Sequence, residues 1–259
     1  MINIDDKYGM ILAESVSSEA CTLSLEGREA TLCAVDIRFG LQTGTEFKIS
    51  SRNMRLRVRT VMPGSVNVMN TLCAVAALDA VGVSLRDIKE GIASFGGVSG
   101  RFERLKWDER LDFSVYIDYA HTPDALESLL RTAKQVVPRG GRIVIVFGCG
   151  GDREMQKRAL MGRVASQMAD VVVITSDNPR SEEPIEIIND IMSGITDGAI
   201  CTVIEDRRAA IEYALKNARR GDVILLAGKG HEEYVIDKLG RHHFSEREIC
   251  REMIRKYCN

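Results

Sequence analysis

Four short polar segments hold the side chains best suited to gripping a charged small molecule: Asp118–Asp124 (DYAHTPD), Gly148–Arg153 (GCGGDR), Asp177–Arg180 (DNPR) and Gly228–Glu232 (GKGHE). An arginine fixed behind a proline, as Arg180 is behind Pro179, can hold a carboxylate through two parallel hydrogen bonds. Arg153 offers a second such grip, and Glu232 offers the opposite sign, suited to an ammonium group. Two arginines and a glutamate around one rim would suit a zwitterionic amino acid. DNPR alone could equally be a turn, since Asp, Asn and Pro all favour turns. His121 reads as a core histidine satisfied by Asp118 or Asp124, whereas His231, between a glycine and an acid, reads as exposed. Neither has the partners of a nucleophile triad or a metal site, so no metal ligands are assigned. GKG is not a Walker loop, because Val223 stands where that loop needs glycine and Gly230 where it needs Ser or Thr. GCGGDR fails the dinucleotide fingerprint, with Arg153 in the third glycine's place.

These segments follow short apolar runs at Phe113–Ile117, Ile143–Phe147, Val171–Thr175 and Val223–Leu226. Runs of this kind are strands buried on both faces, as in a parallel sheet. A helix is expected after the first run, with Thr122 as N-cap and Pro123 at its first position. It would bury Leu126, Leu129, Leu130 and Ala133, and Pro138 would stop it. Another is expected from an Asp206 cap through Ile211, Ala214, Leu215 and Ala218, with Gly221 as the residue just past its end. A last helix is expected from about Ser245 to Lys256. Alternating strands and helices predict a Rossmann-like, doubly wound, mostly parallel sheet, with ligands at the carboxyl ends of its strands.

The pattern changes near residue 100. Upstream lie segments rich in β-branched or alternating residues, Ala30–Phe39 and Glu46–Val61, then helical spacing over Val66–Val81 and Ser84–Phe95. We expect two domains, 1–100 and 101–259. The whole has 259 residues, 45% hydrophobic and 28% charged, with a formal net charge of −2. That balance argues against a nucleic-acid partner; the basic run Arg52–Arg59 reads instead as a strand with a solvated face. No segment is apolar and long enough for a membrane partner. The seven cysteines, Cys21, Cys33, Cys73, Cys149, Cys201, Cys250 and Cys258, form no CxxC pair and read as buried thiols of a cytoplasmic protein.

GRFE (Gly100–Glu103), DYAHTPD, GCGGDR, DNPRSEEP (Asp177–Pro184) and GKGHE, in this order, resemble the UDP-N-acetylmuramoyl-tripeptide ligases of peptidoglycan synthesis, and NVMN (Asn67–Asn70) and the opening INIDD extend the resemblance over the chain. GRFE and DYAHTP alone would indicate only the wider superfamily that includes folylpolyglutamate ligases. The resemblance implies an α/β fold in which residues 101–259 are the amino-acid-binding domain and residues 1–100 the remainder of a central ATPase domain. It implies ATP-binding residues at Asn67, Asn70, Arg101, Asp118 and His121. It implies a substrate pocket of Arg153, Asp177, Asn178, Pro179, Arg180, Gly228 and Glu232, with Arg180 selecting meso-diaminopimelate through its distal carboxylate.

The complete family enzyme uses ATP and Mg2+ and takes a UDP-muramyl dipeptide as its second substrate. The family's UDP-sugar domain, phosphate loop, magnesium-binding residues and modified lysine are not in this sequence. We therefore expect the isolated chain to bind no cofactor tightly and to be inactive alone, with a second chain carrying the missing half as an expected partner. Catalytic residues are left unassigned. Two alternatives stay open: a non-catalytic amino-acid-binding module, or a ligase of the wider superfamily acting on another acid. We also expect residues from about 101 onward to fold well and the first hundred to be marginal.

Overall fold

The computed structural model describes residues 1–16, 20–40, 44–52, 54–107 and 111–257, so Cys258 lies outside the described residues. The chain divides into two compact units, Met1–Gly97 and Val98–Asn259.

The first unit runs β1 (Ile2–Asn3), α1 (Lys7–Ser15), β2 (Thr22–Ser24), β3 (Leu32–Gly40), β4 (Gly44–Ser50), β5 (Arg55–Thr60), α2 (Ser65–Ala80) and α3 (Leu85–Ser94). Its five strands lie in sequence order; β1, β2 and β3 pair in parallel, then β3–β4 and β4–β5 antiparallel. Leu23, Leu32, Phe47, Ile49 and Val58 from the sheet pack on Val68, Leu72 and Val75 of α2 and Ile88 of α3. On β5, Arg55, Arg57 and Arg59 are exposed while Val58 and Thr60 are buried, the solvated alternation read from the sequence. Ser84 caps α3 by accepting from Asp87 N at 3.2 Å. α1 is capped by Asp6 but buries none of its residues.

The second unit runs β6 (Glu103–Arg104), β7 (Ser114–Asp118), α4 (Pro123–Val136), β8 (Ile143–Phe147), α5 (Gln156–Met168), β9 (Val171–Ile174), α6 (Pro184–Met192), β10 (Cys201–Val203), α7 (Arg207–Lys216), β11 (Val223–Ala227), the hairpin β12 (Tyr234–Asp237) and β13 (Gly240–His243), and α8 (Glu246–Tyr257). Six strands form one sheet in the order β10-β9-β8-β11-β7-β6, parallel except for β6. Val115, Ile117, Val144, Val146, Val173, Ile224 and Leu226 face α7 and α8. The alternate residues, such as Tyr116, Ile145, Phe147 and Leu225, are equally buried, on the side of α4, α5 and α6. Both faces are covered, so the sheet is doubly wound, as expected.

The Thr122 cap accepts from Ala125 N at 3.3 Å with Pro123 at the first helical position, and Leu126, Leu129, Leu130 and Ala133 are all buried. Asp206 caps α7 through Ala209 N. The end of α7 departs from expectation: the helix stops at Lys216, capped by Asn217, and Ala218 and Gly221 lie beyond it. Gly221 keeps a positive φ of 85° because it turns the chain into β11, its N–H donating to Asp112 O at 2.7 Å. The cysteines also need correcting. Cys149 and Cys250 are buried, but Cys21, Cys33, Cys73 and Cys201 are only half-buried. Among the described residues no helix is long and apolar enough to cross a membrane.

Candidate functional site

The parallel register of β9, β8, β11 and β7 brings the four polar loops to one edge of the sheet, and glycines let their backbones touch. A Cβ on Gly151 would fall 1.9 Å from Pro179 O, and one on Gly148 would fall 2.2 Å from Thr175 O. Gly151 N donates to Asn178 O at 2.9 Å, which ties the loop after β8 to the DNPR turn. On the other side, a Cβ on Gly100 would lie 2.3 Å from His231 N, and one on Gly230 would lie 2.7 Å from Tyr119 Cβ.

Arg180 adopts a left-handed backbone, with φ of 54°, a conformation that costs a non-glycine residue about 1–2 kcal/mol. The turn is held by Arg180 N donating to Ile236 O of β12 at 3.0 Å. Its Nη1 donates to two carbonyls, Gly151 O at 2.7 Å and Asn178 O at 3.3 Å. Arg153 is exposed and donates to Asp152 O at 3.0 Å. Bare Gly150 lies between the two arginines: a Cβ there would be 2.8 Å from Arg180 Nη1 and 3.8 Å from Arg153 Cγ. Among the described residues, no carboxylate forms an ion pair with either guanidinium. Glu232, half-buried, accepts from Asn178 Nδ2 at 3.0 Å. Two cations and one acid therefore share a rim, with Asn178 linking the DNPR turn to the acid.

Asp177 differs from its neighbours. It is buried, 3.3 Å from Lys229 Nζ and 4.0 Å from Arg207 Nη1. Gly228, with φ of 115°, makes room for it, since a Cβ there would meet Asp177 Oδ2 at 2.4 Å. Arg207 in turn pairs with buried Glu246 at 2.8 Å. These charges lie under the rim.

At the β7 end, the Asp118 carboxylate accepts from Phe102 N at 2.7 Å and Ala120 N at 2.8 Å, pinning the GRFE turn to the sheet. Burial pushes this carboxyl up, against the pull of those two N–H groups and the charge of Arg101. Phe102 is held at φ of 43° by that bond. The Arg101 guanidinium lies 5.0 Å from the Tyr119 ring centroid, and the rings of His121 and His231 lie 4.7 and 5.4 Å from it. The core reading of His121 fails: the ring is exposed, and its Nδ1 lies 2.9 Å from Tyr119 O rather than against Asp118 or Asp124. A two-residue loop reach is shorter than a turn back to either acid. His231 is exposed, and His242 and His243 lie on the exposed hairpin strand β13. In the first unit, Asn67 Nδ2 donates to Pro63 O at 2.7 Å, and Asn70, exposed, approaches Asn67 Oδ1 at 3.4 Å.

Three buried cations were missed by sequence reasoning: Arg207, described above, Lys229 and Arg158. Lys229, in GKGHE, is fully buried. Arg158 on α5 is also fully buried and holds Glu182 at 2.8 Å and Asp190 at 2.9 Å, while its Nη2 reaches Gly150 O at 3.4 Å. A charge in an apolar helical pattern reads as a solvated face, and nothing local betrays its partners. Cys149 lies 3.6 Å from Met161 Sδ with its thiol pushed up to about 12 by burial, as suits a packing residue.

The chain spans about half the length of the curated relatives it matches. A 2,6-diaminopimelate ligase of Clostridium acetobutylicum, UDP-N-acetylmuramoyl-L-alanyl-D-glutamate–2,6-diaminopimelate ligase 1, is 44% identical over 99% of this chain and 52% of its own length. The like-named ligase of Nostoc sp. is 42% identical over 97% of this chain and 50% of its own length. A solved UDP-N-acetylmuramoyl-L-alanyl-D-glutamate–2,6-diaminopimelate ligase superposes with a TM-score of 0.69 at 35% identity, covering 100% of this chain and 53% of that one. Folylpolyglutamate synthase of Thermotoga maritima shares the fold, with a TM-score of 0.60 at 22% identity. Residues 100–230, more than half of the sequence, match the Mur ligase, glutamate ligase domain, so this chain belongs to the Mur ligase family.

Proposed function

We propose that the chain serves an ATP-dependent ligase that adds meso-diaminopimelate to UDP-N-acetylmuramoyl-L-alanyl-D-glutamate, and that the second unit captures the incoming amino acid. The observation that carries this reading is the rim itself: Arg180 and Arg153 without a carboxylate ion pair among the described residues, in loops joined through Asn178 to the acid Glu232. Meso-diaminopimelate brings two carboxylates and two ammonium groups, and two guanidiniums bonded to backbone carbonyls but to no carboxylate among the described residues match the first pair. In this reading Arg180 takes the distal carboxylate, Arg153 assists, and Glu232 accepts from an ammonium. Asn178 and the bare backbone of Gly228 complete the pocket, while Asp177 and Pro179 shape it from beneath. A lysine ligand would leave one guanidinium unpaired in the bound state.

ATP supplies the phosphoryl group that activates the acceptor carboxylate in the complete enzyme. The exposed Arg101 and His121 and the half-buried Tyr119 suit a nucleoside: a cation and ring faces lie together over a turn fixed by Asp118. Asn67 and Asn70 of α2, in the first unit, are assigned to ATP by motif alone. Among the described residues, no three His, Cys, Asp or Glu side chains cluster as metal ligands, so no step is assigned to Mg2+ here. The cytoplasm is the expected location of the chain.

Calorimetric titration of the chain with meso-diaminopimelate, L-lysine and an Arg180→Ala variant tests the reading. Binding selective for meso-diaminopimelate and lost in the variant is expected. Equal affinity for lysine, or affinity retained without Arg180, would overturn it. A bare binding module remains a second reading, favoured by the intact rim; ligase activity on adding the complementary polypeptide decides against it.

A further inference from the structure

We propose that Lys229 is a positioning residue, which locks the Asn178 amide so that its Nδ2 points at Glu232 and thereby sets the acid that receives the ligand's ammonium. This inference rests on the reading of the rim as an amino-acid pocket.

Lys229 lies between Gly228 and Gly230, whose φ values of 115° and 56° bend the loop and send its side chain inward. The ammonium has three hydrogens and three acceptors: Tyr234 O at 2.8 Å, Asn178 Oδ1 at 3.1 Å and Asp177 Oδ1 at 3.3 Å. With the side chain fully buried, none of those donors can reach a ligand. Its influence must therefore pass through the groups it holds.

Asn178 is the informative one. Its Oδ1 accepts from Lys229 Nζ and from Ile236 N at 3.0 Å, which fills both lone pairs. Flipping the amide would set Nδ2 against an ammonium and the Ile236 N–H, and Oδ1 against the Glu232 carboxylate, three repulsive pairs in place of three attractive ones, the ammonium being the charged member on the Oδ1 side. The amide is therefore fixed in one sense, and Nδ2 donates to Glu232 Oε2 at 3.0 Å. Stability is a poor explanation for a cation here. A buried ion pair can often be replaced by apolar residues at no loss of stability, because desolvation offsets the Coulombic gain. Burial indeed pushes the Lys229 ammonium down in spite of Asp177. What an apolar side chain could not do is discriminate Oδ1 from Nδ2.

Two measurements test this. The first needs no ligand: the Asn178 side-chain amide is followed by 15N–1H spectroscopy, identified by its loss in Asn178→Asp. Both Lys229→Met and Glu232→Gln are expected to shift that resonance and speed its hydrogen exchange, and an unmoved resonance in Lys229→Met overturns the proposal. The second is a double-mutant cycle in meso-diaminopimelate affinity. Lys229→Met is expected to weaken binding about tenfold or more by freeing an acceptor normally bonded to a charge. In the Glu232→Gln background, the same change should add no more than about twofold. Additive losses would mean that Lys229 merely supports the loop, and the proposal falls. Should Lys229→Met not fold, Lys229→Met with Asp177→Asn removes both members of the ion pair and takes its place. If the unaltered chain fails to bind meso-diaminopimelate, the pocket reading fails, and the spectroscopic arm decides the role of Lys229.

Discussion

Gly151→Ala is the sharpest perturbation of the rim, because the space it needs is already filled by backbone. A Cβ at this position lands 1.9 Å from Pro179 O and 2.8 Å from Pro179 C. No rotamer change relieves such an overlap, so the loop after β8 must withdraw from the DNPR turn. Withdrawal stretches two bonds, Gly151 N to Asn178 O at 2.9 Å and Arg180 Nη1 to Gly151 O at 2.7 Å. A neutral bond contributes about 0.5–1.5 kcal/mol net and a charged one about 1.5–3, so a loss of about 2–4 kcal/mol is expected. For a unit of this size that lowers the unfolding midpoint by about 4–16 °C. Differential scanning calorimetry reads the midpoint, and titration with meso-diaminopimelate reads the site. The variant should be less stable and should bind more weakly, because Arg180 loses its anchor. A midpoint within about 2 °C of the unaltered chain, with affinity retained, would show that the loops are not tied as described.

Three further outcomes are expected. Gly91→Ala in α3, where an added Cβ meets nothing within 4 Å, should stabilise the first unit by about 0.5–1 kcal/mol, seen as a higher denaturant midpoint; destabilisation would contradict that geometry. On acidification, Asp222 and Glu103 should contribute to unfolding. Burial raises Asp222, but bonds from Arg142 and Arg219 outweigh it, and Arg247 holds Glu103 down. Their folded values lie below the unfolded ones, so their stabilisation is present above the ordinary carboxylate range near pH 4 and lost as pH falls through the folded values; Asp222→Asn should flatten that part of the stability–pH curve. In limited proteolysis the first cuts should fall in or beside α1, which buries none of its residues; first cuts within the second unit's sheet would refute this.

The strands β7, β8, β9 and β11 were legible because burial on both faces leaves an uninterrupted apolar run. β10 and β6 were not, being three and two residues long at the sheet edges, where only one neighbour constrains side-chain choice. The end of α7 was misplaced because apolar spacing continues through Ala218, while the backbone is turned off at Asn217, which accepts no further helical bond. At the site, Arg153, Arg180 and Glu232 could be picked out as polar residues just past apolar runs. Lys229, Arg158 and Arg207 could not, since a buried cation is recognised only by the acids and carbonyls around it, and those acids lie 52 positions from Lys229, 24 and 32 from Arg158 and 39 from Arg207. That Asp177 sits beneath the rim rather than on it was equally invisible, because it depends on a glycine in another loop leaving room.

The hairpin of β12 and β13 gives the rim a handle. Its first strand is bonded to the DNPR turn at two points, Ile236 O to Arg180 N and Ile236 N to Asn178 Oδ1, while Leu239 at the tip is 87% exposed. If the proposed pocket fills there, a change at the turn would act on a short ribbon that ends in open solvent. A fluorophore at position 239 would turn the protein into an optical reporter of its own occupancy, reading out the arginine without touching it.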